Sequence, residues 1–208
     1  MRALFLDRDG VICENRADHV KSWAEFQFIP GALWALQQLA GTDFAVVVTT
    51  NQAIINRGLV LPETVTDIHA RMMTAVRRVG ARIDRVLVCP HRPDEACQCR
   101  KPMPGMLFQA AAEMGIDLRQ SYMIGDAVTD IQAGLAAGCK CTLVLTGRGM
   151  QQVRTAVQDA SLSFQRAFDL KHAVDTILRL ESVKANRPSA PRAITRPLSL
   201  PILPGHAS

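Results

Sequence analysis

The sequence predicts an α/β fold in which helices cover both faces of a parallel sheet. Two observations carry this prediction. Five short apolar runs lack the in-out alternation of a half-exposed sheet, and each ends in polar or turn-forming residues. Between them lie stretches of helical pattern, so strand and helix alternate along the chain. Parallel strands joined by right-handed crossovers satisfy that alternation, which makes the expected architecture Rossmann-like.

The elements follow in order. Residues 3–6 form the first apolar run, which ends at Asp7. Residues 44–48 form the second and lead into Thr49-Thr50-Asn51. Residues 85–88 end at Cys89, 122–124 at Gly125-Asp126, and 141–145 at Thr146-Gly147. Helices are predicted over 32–39, 62–79, 104–114 and 128–137, with a last one over 174–180. Pro62 and Pro104 suit first-turn positions, where a missing N–H costs nothing. Gly41, Gly80, Gly115 and Gly138 each follow a helical stretch, as closing residues do.

With 208 residues, 48% of them apolar, the chain can bury a core, and a globally disordered chain is excluded. One domain is expected over residues 1–182, followed by a flexible tail over 183–208. That tail carries Pro188, Pro191, Pro197, Pro201 and Pro204. It also explains the pI of about 9.1. Lys184, Arg187, Arg192 and Arg196 face no acid there, and removing them takes the net charge from +5 to +1. A near-neutral body argues against nucleic acid as a partner. No apolar run approaches the ~20 residues of a membrane span. The N-terminus lacks the long apolar region of a signal peptide, so a cytoplasmic location is expected, with cysteines unpaired. The chain is expected to act as a monomer.

The chemistry-bearing residues fall at the carboxyl ends of the predicted strands, the edge where open parallel sheets bind ligands. In Asp7-Arg8-Asp9-Gly10 two carboxylates can share one pocket, and a hard divalent cation such as Mg²⁺ would relieve their repulsion. One carboxylate can attack phosphorus while the other protonates a leaving alcohol and later activates water. A solvated acid pair in a turn fits this short motif equally well. Thr50 offers a hydroxyl to a phosphate oxygen, with Asn51 beside it. Lys101 can neutralise a phosphoryl group, and Arg100 can hold a second anionic or hydroxyl group. Asp126 can reach the metal from the opposite side, and Asp130, one turn into the next helix, can support it or Lys101.

Cys89-Pro90-His91 and Cys97-Gln98-Cys99 place three thiols and one imidazole within eleven positions. That donor set completes a tetrahedral shell for a structural zinc, leaving no position open for substrate. Cys13, Cys139 and Cys141 read as small apolar residues, His19 and His69 as surface or helix residues, and Trp23 and Trp34 as packing residues.

In combination, Asp7-x-Asp9-Gly10, Thr50, Lys101 and Gly125-Asp126-x3-Asp130 resemble the haloacid dehalogenase superfamily of phosphatases over residues 2 to about 148. Leu6-Asp7-Arg8-Asp9-Gly10, Thr50-Asn51-Gln52 with Arg57-Gly58, and Cys99-Arg100-Lys101-Pro102 are similar to the heptose-1,7-bisphosphate 7-phosphatases and the related histidinol-phosphatases. The resemblance implies Asp7 as nucleophile, Asp9 as general acid/base, and Thr50 and Lys101 on the phosphate. It implies magnesium held by Asp7, Asp126 and the Asp9 backbone carbonyl, with Asn51, Arg57 and Arg100 on a small sugar phosphate. It also implies a zinc loop over residues 89–99 and no large cap domain. The chain departs from the common pattern at Cys13, at Ala53-Ile54-Ile55-Asn56 and at Ala127, all near the expected substrate.

Overall fold

A computed structural model describes residues 1–185. Six parallel strands form one sheet in the order β3-β2-β1-β4-β5-β6. They are β1 (Arg2–Leu6), β2 (Phe44–Asn51), β3 (Arg85–Cys89), β4 (Tyr122–Gly125), β5 (Lys140–Val144) and β6 (Gln165–Ala167). The helices are α1 (Ala32–Leu39), α2 (Pro62–Arg78), α3 (Gly105–Met114), α4 (Val128–Ala136), α5 (Gly149–Ala156) and α6 (Leu170–Ala185). The strand order reverses direction between β1 and β4, where a crevice opens at the carboxyl edge.

Alternate residues of each central strand enter two separate cores. Leu4, Leu6, Val46, Val48 and Ile124 pack under α1, α2 and α6. Ala3, Phe5, Val47, Met123 and Leu143 pack under α3, α4 and α5. Burial on both faces explains why the sequence shows apolar runs rather than alternation. Each fully buried Leu or Phe contributes ~1.5–3 kcal/mol, and Leu4, Phe5 and Leu6 of β1 are all fully buried.

Two elements escaped sequence reasoning. β6 is three residues long with two of them exposed, so it has no apolar run to find. α5 starts without a side-chain cap and buries only Gly149 and Ala156. The last helix is longer than expected. It starts at Leu170, where Asp169 Oδ1 accepts the His172 N–H at 2.8 Å, a capping signal present in the sequence. It runs to Ala185, past the expected boundary at 182, and the rest of the expected tail lies outside the described residues.

The segment 10–30 holds one 3₁₀ turn, Trp23–Glu25, and an aromatic cluster in which Trp23 stacks on Phe26 with centroids 5.0 Å apart. It packs onto the core and forms no cap domain. Among the described residues, no helix is long and apolar enough to cross a membrane.

Candidate active site at the carboxyl edge of the sheet

Asp7 follows β1 directly, and its backbone N–H donates to the Ile124 carbonyl of β4 at 3.0 Å. The carboxylate is therefore fixed between the two central strands. Lys101 reaches it from the loop after β3, with Nζ 3.0 Å from Asp7 and 2.6 Å from Asp130. The same ammonium donates to the Thr49 carbonyl at 2.8 Å. All three charged side chains are buried. Burial pushes the Asp7 carboxyl up to about 6, against the pull of Lys101 and with help from Asp130 and Asp9. For Lys101, burial favours the neutral amine, but Asp130 and Asp7 prevail and hold its pKa above the ordinary value.

Asn51 places Lys101. Its amide donates to the Lys101 carbonyl at 3.0 Å and its oxygen accepts the Lys101 N–H at 3.1 Å. That amide is committed to the backbone of the lysine loop, so its first task is to hold the ammonium in place.

Asp126 lies at the end of β4, fully buried, in a cradle made by two glycines. A Cβ on Gly10 would come within 2.2 Å of Asp126 Oδ2, and one on Gly147 within 2.4 Å. Both glycines adopt positive φ, at 83° and 57°, so close approach and backbone shape both require them. Oxygen atoms of Asp7, Asp126 and Asp130 lie within 4.8 Å of one another. Asp130 is taken by Lys101, which leaves the hard oxygens of Asp7 and Asp126, in a glycine-walled recess, to fit a magnesium ion. Arg148 also meets this carboxylate. Its N–H donates to Asp126 Oδ2 at 2.8 Å and its Nη2 to Oδ1 at 2.9 Å. The sequence reading missed Arg148, although it follows the end of the fifth strand, where ligand-binding residues collect.

Asp9 is held differently. Its carboxylate accepts from Arg8 Nε at 3.2 Å, Arg8 Nη2 at 3.0 Å and Gln52 Nε2 at 2.8 Å. Burial favours its neutral form, but Arg8 and Gln52 keep its pKa below the ordinary value. Gln52 also donates to Thr50 Oγ1 at 2.8 Å, tying the hydroxyl to the second aspartate. The Asp9 side chain stands outside the carboxylate trio, so a contact with the metal would come through its backbone.

Asp7, Asp9, Thr50, Asn51, Arg57, Arg100, Lys101 and Asp130 all line one cavity of ≈ 350 Å³. Arg16, His19 and Arg148 join them at its wall. His19 is thus no bystander: its Nε2 lies 3.3 Å from Arg57 Nη1. His69 is a helix residue, as the sequence suggests, but a buried one: it sits in α2, is 6% exposed and contacts Arg8.

Cys89, His91, Cys97 and Cys99 gather beside this cavity. Cys89 Sγ is 3.5 Å from His91 Nδ1 and 3.6 Å from Cys97 Sγ, and Cys99 Sγ is 3.3 Å from His91 Nδ1 and 3.5 Å from Cys97 Sγ. A tetrahedral zinc with ordinary bond lengths has donor–donor edges of about 3.5–3.8 Å. The Arg100 N–H donates to Cys97 Sγ at 3.3 Å and Arg100 Nη1 to the His91 carbonyl at 3.0 Å. The cluster therefore positions Arg100 and, one residue later, Lys101.

The family model described as HAD-hydrolase-like matches residues 98–167. The chain is 41% identical over 149 residues to the D-glycero-beta-D-manno-heptose-1,7-bisphosphate 7-phosphatase of Bordetella bronchiseptica, covering 72% of this chain and 83% of that one. It is 39% identical to the enzyme of the same name from Pseudomonas putida, covering 79% and 94%. Among solved structures, a D,D-heptose 1,7-bisphosphate phosphatase from B. bronchiseptica, complexed with magnesium and phosphate, superposes with a TM-score of 0.81 at 36% identity, covering 86% of this chain and 99% of that one. A putative HAD-like phosphatase from Mesorhizobium loti gives 0.72 at 30%, covering 88% and 87%.

Proposed function

The chain belongs to the haloacid dehalogenase-like phosphatases, in the branch of the heptose bisphosphate phosphatases, and on that premise we propose that it removes the 7-phosphate of D-glycero-D-manno-heptose 1,7-bisphosphate. One observation carries the reading: Asp7 after β1, Lys101 in the loop after β3 and Asp130 in the first turn of α4 meet as buried ions and face one cavity with Thr50.

In the first step the Asp7 carboxylate attacks phosphorus and the bond from phosphorus to the sugar oxygen breaks; Asp9, ionised in the free site, takes up a proton when the anionic phosphate binds beside it and passes that proton to the leaving oxygen. In the second, Asp9 takes a proton from water, whose oxygen attacks the aspartyl phosphate, releasing inorganic phosphate and regenerating Asp7. Thr50 and Lys101 hold the transferring oxygens, and Asp130 keeps Lys101 charged. Asp7, Asp126 and the Asp9 carbonyl would hold magnesium, which supplies the positive charge that lets an anionic nucleophile meet an anionic phosphate.

Arg16, Arg57 and Arg100 at the cavity wall favour a substrate with a second phosphate. The cationic amine of histidinol phosphate would be repelled there. With magnesium, turnover is expected to be highest on heptose 1,7-bisphosphate, above histidinol phosphate and fructose bisphosphate. Equal, low rates on all three would defeat the assignment.

We also infer that the Cys89–His91–Cys97–Cys99 cluster holds a structural zinc. Elemental analysis is expected to give one zinc per chain, lost in Cys97→Ser together with thermal stability. A metal-free wild-type protein with the same melting temperature would contradict this.

A further inference from the structure

Arg8 sits between the two aspartates, and its side chain is fully buried. One edge of the guanidinium grips Asp9 through Nε and Nη2. On the other side, Nη1 donates to His69 Nε2 at 3.0 Å. A guanidinium offers only donors and keeps its charge, so His69 must accept, which fixes a neutral ring with its proton on Nδ1. Burial, reinforced by Arg8, agrees by pushing the ring down to about 3. The ring cannot drift, because its neighbours Ile68 and Met72 are locked in the core under α2.

From this chain of contacts we propose that His69 is a positioning residue for catalysis. Its Nε2 sets the plane of the Arg8 guanidinium, and that plane sets the direction in which Asp9 presents its carboxyl group to the leaving oxygen. The inference rests on the phosphatase reading, in which Asp9 handles the proton. It adds a residue 60 positions away in sequence that touches neither substrate nor metal.

The test uses the dependence on leaving group. A sugar alkoxide leaves only with a proton, so its departure depends on how Asp9 is aimed. Nitrophenolate leaves without one. Purified protein with magnesium is assayed for kcat/KM on heptose bisphosphate and on p-nitrophenyl phosphate. His69→Leu removes the acceptor and is expected to lower kcat/KM about tenfold on the sugar phosphate but only about twofold on the aryl phosphate. His69→Gln, whose carbonyl can accept from Arg8, is expected to stay within about twofold of wild type on both. If His69→Leu does not fold, His69→Asn, too short to reach Nη1, takes its place with the same expectation. Equal losses on both substrates would mean a purely structural residue and overturn the proposal, as would an undiminished rate on the sugar phosphate. A wild-type protein inactive on both substrates would instead overturn the phosphatase reading.

Discussion

Replacing Asp7 with Asn is expected to abolish turnover, by on the order of 10⁴-fold, while leaving the protein folded. An amide cannot form the acyl phosphate, so no other group rescues the first step. The fold should tolerate the change because Asn retains an oxygen to accept the Arg8 N–H, which Asp7 takes at 2.7 Å. The sign of the stability effect follows from the carboxyl's raised pKa. Burial pushes it from 3.8 up to about 6, so the cost of ionised Asp7 grows between those two pH values and is fully present above about 6. The neutral variant should therefore melt at or above the wild-type temperature at pH 7.5. Turnover within about tenfold of wild type would rule out a covalent route through Asp7.

The second large effect is expected at Lys101, and here stability and activity fall together. Lys101 neutralises Asp7 and Asp130 in one buried contact. Lys101→Met removes the cation and leaves two carboxylates facing each other out of water. Breaking a buried pair in this way costs about 3–5 kcal/mol. The loss should depend on pH in a defined direction. Without the lysine, burial raises the Asp7 carboxyl unopposed, so the folded state takes up protons more readily than the unfolded chain as pH falls. The variant's deficit is fully present at pH 8 and shrinks toward pH 5. Melting curves at the two pH values, in buffer without added magnesium, measure it. A deficit that does not change with pH would mean that lost packing, not stranded charge, causes the damage.

Much of the site was legible in the sequence because its residues sit in local punctuation. Asp7, Thr50 and Asp126 each end an apolar run, and Cys89, His91, Cys97 and Cys99 are spaced for a single ion. What stayed hidden depends on distance. His69 looks like any polar residue on an amphipathic helix, and only the packing of α2 turns it toward Arg8. Arg8 itself, flanked by two aspartates, carries no mark of burial in the sequence, yet it is wholly buried. Arg148 follows the end of β5, where ligand-binding residues collect, but only the assembled sheet brings that strand end beside Asp126. The same limit explains β6, which is a strand only because Val144 and its neighbours offer an edge to pair with.

The central place of β1 also governs how the molecule can be built. β1 pairs with β2 on one side and β4 on the other, and β4 begins only at Tyr122. On the ribosome, the first three strands emerge with one edge of β1 still bare. At ~5–20 residues per second, several seconds pass before the missing neighbour appears. A bare edge of unpaired amides and carbonyls invites association with other nascent chains. The strand that carries the nucleophile is thus the one most in need of shelter during biosynthesis, and a truncated product ending before β4 would be a sticky half-sheet rather than a weak enzyme.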